Sequence, residues 1–139
     1  MSENLLFPSE KWFDELCNLL NNSPEYKKAA AKWEGSLALV FDAEEGKLDE
    51  DFIFYAKPYH GEIKENCTIK KLDEKNPDFI IGGPFSSWQE VVQGKMDALQ
   101  AIMKGKLKVK GSMAMLLKQV KASQIMMQFL GEIPTKFPE

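Results

Sequence analysis

The chain has 139 residues and a mass of 15.8 kDa, which predicts one domain, residues 1–139, with a single core. Its composition, 44% hydrophobic and 28% charged, excludes an intrinsically disordered chain. No apolar run approaches the ~18 residues that a membrane span requires. The two cysteines lie far apart in a chain without a basic, apolar leader, so we expect a soluble, cytoplasmic protein.

The type and distribution of charged residues exclude some functions and favour others. All 18 basic residues are lysine, and the absence of the guanidinium fork that reads bases and phosphates argues against nucleic-acid binding. Residues 1–97 carry 11 lysines against 19 acidic residues, whereas residues 98–139 carry 7 lysines against Glu132 and Glu139. This asymmetry predicts a basic surface that meets an anionic partner.

Two helices are predicted near the N-terminal end of the chain. Residues 9–20 place apolar side chains at helical spacing, with Ser9 as the N-cap. Ser23 followed by Pro24 is a second start signal, and this helix is predicted to run to Trp33.

The next part of the chain has the pattern of β-strands. Residues 36–41 and 51–56 are β-rich runs separated by an acidic turn, which predicts a hairpin. A third run covers residues 62–69. A fourth, residues 78–81, is predicted to end at the Gly-Gly-Pro sequence that begins at Gly82. The pattern indicates an antiparallel sheet.

The C-terminal third alternates helices with one strand. Ser87 and Glu90 form a capping box that predicts a helix start. A short helix follows between residues 97 and 105. Residues 106–110 alternate lysine with apolar residues and are the clearest strand of the chain. Residues 112–130 are predicted to be helical.

Few residues support catalysis or metal binding. His60 is the only histidine and lies in a turn without a partner at metal-ligand spacing. Cys17 and Cys67 have the setting of structural cysteines. The carboxylates of residues 42–51 lack the order of an EF-hand and favour a solvated hairpin tip. The sequence therefore predicts a protein that is not an enzyme and uses neither cofactor nor metal.

Methionine is concentrated in one segment. Six of the 7 methionines lie between Met96 and Met127, among other apolar residues. A methionine-rich surface can adapt to apolar ligands of different shape. Helical apolar stripes are also typical of ordinary core packing against a sheet. The periodicity leaves both interpretations open.

A family resemblance rests on the segment Gly-Lys-Leu-Lys-Val-Lys-Gly-Ser-Met at residues 105–113. Together with residues 94–97 and 116–118, it resembles the C-terminal signature of the sterol-carrier-protein (non-specific lipid-transfer) domain family. Residues 67–69 are similar to the central strand of that family, and the order of elements matches over most of residues 9–130. The chain looks like a prokaryotic, stand-alone member. The resemblance implies an α+β fold in which a five-stranded, mostly antiparallel sheet is covered by helices and encloses an apolar tunnel for acyl-chain lipids or sterols.

The resemblance also implies which residues contact the ligand. They lie on the capping-box helix, on the helix before the last strand, and on the helical region after it. These residues are Trp88, Val92, Ile102, Met103, Met113, Leu116, Leu117, Val120, Ile125 and Phe129.

The lysines of residues 106–110 project from one face of the predicted strand. Lysine on a strand can protect a solvent face against pairing with other strands. Alternatively, the lysines bring the protein to anionic lipid surfaces. This predicted membrane contact comprises Lys104, Lys106, Lys108 and Lys110.

Two hypotheses of function follow. The first is non-enzymatic binding, and possible transfer, of an acyl-chain lipid or fatty acid in an apolar cavity, with transient contact to an anionic membrane. The second is a module for protein–protein interaction or dimerisation that is accessory to an enzyme. A homodimer is one form that this module could take. A chain without a linker favours the first hypothesis.

Overall fold

A computed structural model describes residues 5–96, 98–111, 120–133 and 135–136. No helix in these segments has the length and apolar character of a membrane span. The elements in chain order are β1 (Leu5–Leu6), α1 (Glu10–Asn21), α2 (Pro24–Ala29), β2 (Leu37–Asp42), β3 (Phe52–Tyr59), β4 (Glu62–Ile69), a 3₁₀ turn (Leu72–Glu74), β5 (Phe79–Pro84), α3 (Phe85–Val92), α4 (Ala98–Met103), β6 (Lys108–Lys110), α5 (Val120–Leu130) and β7 (Thr135–Lys136).

Strands β2 to β6 form a five-stranded sheet in the order β4-β3-β2-β5-β6. Within it, β2–β3, β3–β4 and β5–β6 are antiparallel, whereas β2 and β5 are parallel. The parallel pair arises because the chain crosses from the β4 edge to the far side of β2 before it begins β5. The predicted α+β fold with a mostly antiparallel sheet is confirmed, and the sheet is mixed.

The two N-terminal helices begin where their capping residues predict. The Ser9 Oγ accepts a hydrogen bond from the Trp12 backbone N–H at 3.2 Å. The Ser23 Oγ accepts one from the Tyr26 N–H at 3.1 Å. Each serine satisfies a backbone donor that has no partner within its helix, which is why both starts were readable from local sequence.

Helix α2 is shorter than predicted. It ends at Ala29 rather than at Trp33. The Trp33 carbonyl accepts a hydrogen bond from the His60 N–H at 2.9 Å, so this part of the chain is bonded to the end of β3. A contact with a distant strand therefore ends the helix early.

Strand β5 continues through the glycines that were predicted to end it, so this boundary was wrong. Gly82 lies opposite Val40 and Gly83 opposite Phe41 of β2. A Cβ atom at Gly83 would lie 2.7 Å from the carbonyl oxygen of Lys106. Glycine here permits close approach of another segment of chain, which is one of its roles within strands.

Helix α3 begins at Phe85, so the predicted capping box at Ser87 was also wrong. Pro84 is the N-cap residue and provides no side-chain hydrogen bond. Instead Glu44, in the turn between β2 and β3, accepts a hydrogen bond from the Ser86 N–H at 2.5 Å. This bond holds the pKa of Glu44 below its ordinary value. A carboxylate of the acidic hairpin turn thus caps a helix that is distant in sequence.

Strand β6 is shorter than the alternation of residues 106–110 predicts. The N–H groups of Lys106 and Leu107 both donate to the carbonyl of Ala101, at 2.8 and 3.2 Å. These donors therefore bond to α4 rather than to β5. Leu107 is 1% exposed and anchors the segment in the core.

An aromatic cluster fills the space between the sheet and helices α1 and α3. The rings of Phe13 and Phe54 stack with centroids 4.1 Å apart, and those of Phe41 and Trp88 lie 4.6 Å apart. The Trp88 Nε1–H donates to the Val40 carbonyl at 2.8 Å. These four rings are buried, and this half of the fold is packed by large side chains.

Candidate functional site

Several apolar side chains of the helices and of β6 are only partly buried. Ile102 of α4, Val109 of β6 and Phe129 of α5 pack against the core, yet each remains partly exposed. Met96, which precedes α4, has the same intermediate exposure. These four side chains therefore contribute partly exposed apolar surface, unlike the buried rings of the aromatic cluster.

A cavity of about 480 Å³ lies between helices α2 and α5. Its apolar lining comes from Ala29 and Ile125, and its charged lining from Glu25, Lys28 and Lys121. We call it the α2–α5 cavity. Its volume falls within the range of about 300–1,000 Å³ that is usual for small-molecule sites.

The residues predicted to contact the ligand differ in burial and in location. Ile125 lines the α2–α5 cavity, while Ile102 and Phe129 pack against the core and are partly exposed. Val92 is buried in the core. Met103 is 85% exposed and projects into solvent.

The remaining predicted ligand contacts comprise Trp88 and four residues of the region after β6. Trp88 is fully buried within the aromatic cluster described above. Met113, Leu116 and Leu117 lie outside the described residues, and the side chain of Val120 does as well. Their contact with a ligand stays a prediction.

Lys106, Lys108 and Lys110 line a second cavity, of about 620 Å³, together with residues of β2 and β5 and with Ser87 of α3. Lys108 and Lys110 lie on one face of β6, as the alternation predicts, whereas Lys106 precedes the strand and its Nζ lies 3.3 Å from Glu90 Oε2 of α3. Lys104 follows α4 and is exposed outside the cavity lining.

Neither cysteine has the properties of a nucleophile. Burial, together with the charge of Asp14, raises the pKa of the Cys17 thiol to about 12. Burial also raises the pKa of Cys67. The His60 Nε2 lies 2.6 Å from Glu34 Oε2 in an exposed pair at a turn. No group of His, Cys, Asp and Glu side chains within the described segments has the arrangement of a metal site.

Two sets of cavity residues are not among those predicted from the sequence. One is the pair Lys28 and Lys121, which only the packing of α2 on α5 brings together. The other is the floor of the second cavity, formed by Val40, Ile80 and Gly82. The continuous apolar run of β2 was a usable signal, because a strand that faces solvent on one side normally alternates with polar residues.

The chain matches the SCP-2 sterol transfer family over residues 13–123, and it belongs to this family. Together with the fold, this membership supports lipid binding or transfer as the general function. The recognition of the family from the lysine-rich segment is confirmed.

Solved structures agree with this assignment. A crystal structure of sterol carrier protein 2 is similar with a TM-score of 0.80 and 32% identity, covering 90% of this chain and 97% of that chain. A conserved hypothetical protein of Thermus thermophilus, described as a candidate sterol carrier protein, gives a TM-score of 0.81 and 31% identity, covering 98% and 94%. Palmitated SCP2L2 of Aedes aegypti shares the fold alone, with a TM-score of 0.54 and 12% identity over 81% and 92%. No curated protein matches the chain significantly.

Proposed function

We propose that this protein holds one acyl-chain lipid or fatty acid between its helices and its sheet and delivers it without catalysis. The observation that carries the proposal is the α2–α5 cavity beside Ile125. Phe129 lies one helical turn along α5 from Ile125 and is partly exposed, and Ile102 and Val109 are further apolar side chains that are only partly buried. The palmitate of the Aedes aegypti relative supports a single acyl chain as the ligand.

The energetics of chain burial are sufficient for such a carrier. Burial of about 15 methylene groups gains roughly 12 kcal/mol, at ~0.8 kcal/mol each. Losing about 4 kcal/mol of translational and rotational freedom leaves roughly 8 kcal/mol, which corresponds to a Kd of about 1 μM. A carrier needs affinity of this order, because the ligand must also be released.

The charged lining of the α2–α5 cavity favours an acidic headgroup. Lys28 and Lys121 supply two positive charges, against the single negative charge of Glu25. A carboxylate or phosphate at the mouth would be stabilised by both lysines. The chain of the same molecule would then extend along Ile125 into the apolar surface.

Native mass spectrometry of the purified protein, followed by organic extraction, tests this proposal. We expect a noncovalent lipid at one molecule per chain, released on denaturation. An apo protein that dimerises and does not bind added palmitate would contradict the carrier and support the interaction module.

We further propose that Lys104 and the three strand lysines form the contact with anionic membranes. All four are exposed. A lysine close to an anionic leaflet contributes ~1 kcal/mol, and this attraction is screened by salt. Transfer of a labelled fatty acid to anionic vesicles should therefore slow several-fold as salt rises from about 0.05 to about 0.5 M. Replacement of all four lysines by Gln should slow transfer at low salt and remove its salt dependence.

A matched control replaces four exposed lysines elsewhere and makes the same change in net charge. It should retain the salt dependence of the parent. Equal rates for the two quadruple variants at low salt, with fatty-acid affinity at the α2–α5 cavity preserved, would reject the membrane contact. The control positions are Lys11, Lys27, Lys32 and Lys47.

A further inference from the structure

The sheet has a second apolar face, turned away from the helices. On β3, Ile53 and Tyr55 alternate with Phe52 and Phe54, which contact the aromatic cluster. Ile53 and Tyr55 are nevertheless buried. The segment after β4 covers them in part, since the Lys75 Nζ lies 5.5 Å from the centre of the Tyr55 ring. Apolar side chains are thus buried on both faces of β3.

Over β2, β5 and β6 the same face opens into the cavity of about 620 Å³, which we call the outer groove. Val40, Ile80 and Gly82 form its floor, and Leu72 of the 3₁₀ turn also lines it. Gly82 pairs with Val40 on one side and with Lys108 on the other. A Cβ atom at Gly82 would lie 3.1 Å from the Val40 Cβ. Because Gly82 has no side chain, the floor is lowest at this residue. Glycine within a strand often marks the close approach of a ligand.

The β6 wall of the outer groove is basic. Lys106 is paired with Glu90, its Nζ 3.3 Å from Oε2. Lys108 and Lys110 form no ion pair with any residue in the described segments. The acidic residue of the lining, Asp42, lies opposite Pro84, at the far end of the register from Lys110. The groove therefore favours an anion at its Lys108–Lys110 end and disfavours one near Asp42.

We propose that the outer groove is a second binding site, for a monomeric single-chain amphiphile with one acidic group. The acidic group pairs with Lys108 and Lys110, and the chain crosses Gly82 towards Val40 and Leu72. The volume is that of a small-molecule site. A purely polar anion would leave the apolar floor unused, and an uncharged lipid would leave both lysines without a partner. The methylene stems of the lysines extend the apolar surface around the chain.

This site goes beyond the proposed carrier function, because it shares no lining residue with the α2–α5 cavity. The test is an NMR titration of backbone amides with decanoate below its micelle concentration, with decanol as the uncharged comparison. We expect saturable shifts at Gly82, Lys108 and Lys110 with decanoate, and affinity for decanol weaker by about tenfold. Amides of α5 report separately on the α2–α5 cavity, so failure of either site is visible without the other.

Charge reversal tests the pairing. Lys108→Glu with Lys110→Glu should raise the decanoate Kd at the groove by about tenfold or more, because two attractive contacts become repulsive. Lys11→Glu with Lys32→Glu makes the same change in net charge at exposed positions on the helical side, and should leave the Kd within about twofold. Shifts confined to α5, equal weakening in both double variants, or equal affinity for decanol would each overturn the proposal.

Discussion

Replacement of Ile125 by Trp is expected to weaken palmitate binding by about tenfold or more with little loss of stability. The indole would extend into the α2–α5 cavity that Ile125 lines. A cavity accepts added volume, whereas a packed core resists it at a cost of about 1–3 kcal/mol. Displacement of a fluorescent fatty acid measures the affinity, and thermal unfolding measures the stability.

Ile63→Trp is a matched control for this variant. Ile63 and Ile125 are each 7% exposed, but Ile63 lies on β4 and lines none of the cavities described above. We expect Ile63→Trp to lower the free energy of unfolding by about 1–3 kcal/mol and to leave the affinity of the folded protein unchanged. If Ile125→Trp instead behaves like Ile63→Trp in both measurements, the α2–α5 cavity is not the ligand site.

Replacement of Trp88 by Ala is expected to lower the free energy of unfolding by about 3–5 kcal/mol. Trp88 is fully buried, contacts the Phe41 ring and donates a hydrogen bond to the Val40 carbonyl. Its loss leaves both a cavity and a buried carbonyl without its partner. Since whole domains are stable by only about 5–15 kcal/mol, this single change removes a large fraction of the free energy of unfolding. Urea unfolding measures the effect.

Trp88→Phe separates the structural role of Trp88 from the ligand contact that the sequence predicts. The ring remains, but the Nε1–H donor is lost, which should cost about 1–3 kcal/mol. From its place in the aromatic cluster we expect unchanged fatty-acid affinity in the folded protein. A loss of affinity without a comparable loss of stability would place Trp88 at the ligand instead.

Local signals predicted those boundaries that depend on local chemistry. The starts of α1 and α2 follow from Ser9 and Ser23, because a capping side chain bonds to a backbone donor three residues away. Strand β4 has the predicted bounds, residues 62–69. The lysine-rich segment, together with residues 67–69, 94–97 and 116–118 and the order of elements, led to the correct family.

Local sequence patterns gave wrong boundaries where a residue distant in sequence contacts the end of the element. The capping box of Ser87 and Glu90 was wrong because Glu44, from another turn, supplies the cap of α3. The glycines of β5 did not end the strand, because Gly83 is needed where the chain near Lys106 approaches it. Neither contact is visible in the sequence around the element that it controls.

The lysine face shows most directly what sequence and tertiary structure each determine. That Lys108 and Lys110 share one face follows from the alternation of side chains along a strand, which is a local property of the backbone. That this face lines a groove was decided by the pairing of β6 with β5 and of β5 with β2, which places Ile80, Gly82 and Val40 beside the lysines. The direction of a side chain is set by the backbone of its own strand. The residues that lie beside it are set by the long-range pairing of strands, and a cavity forms only where such residues from several strands come together.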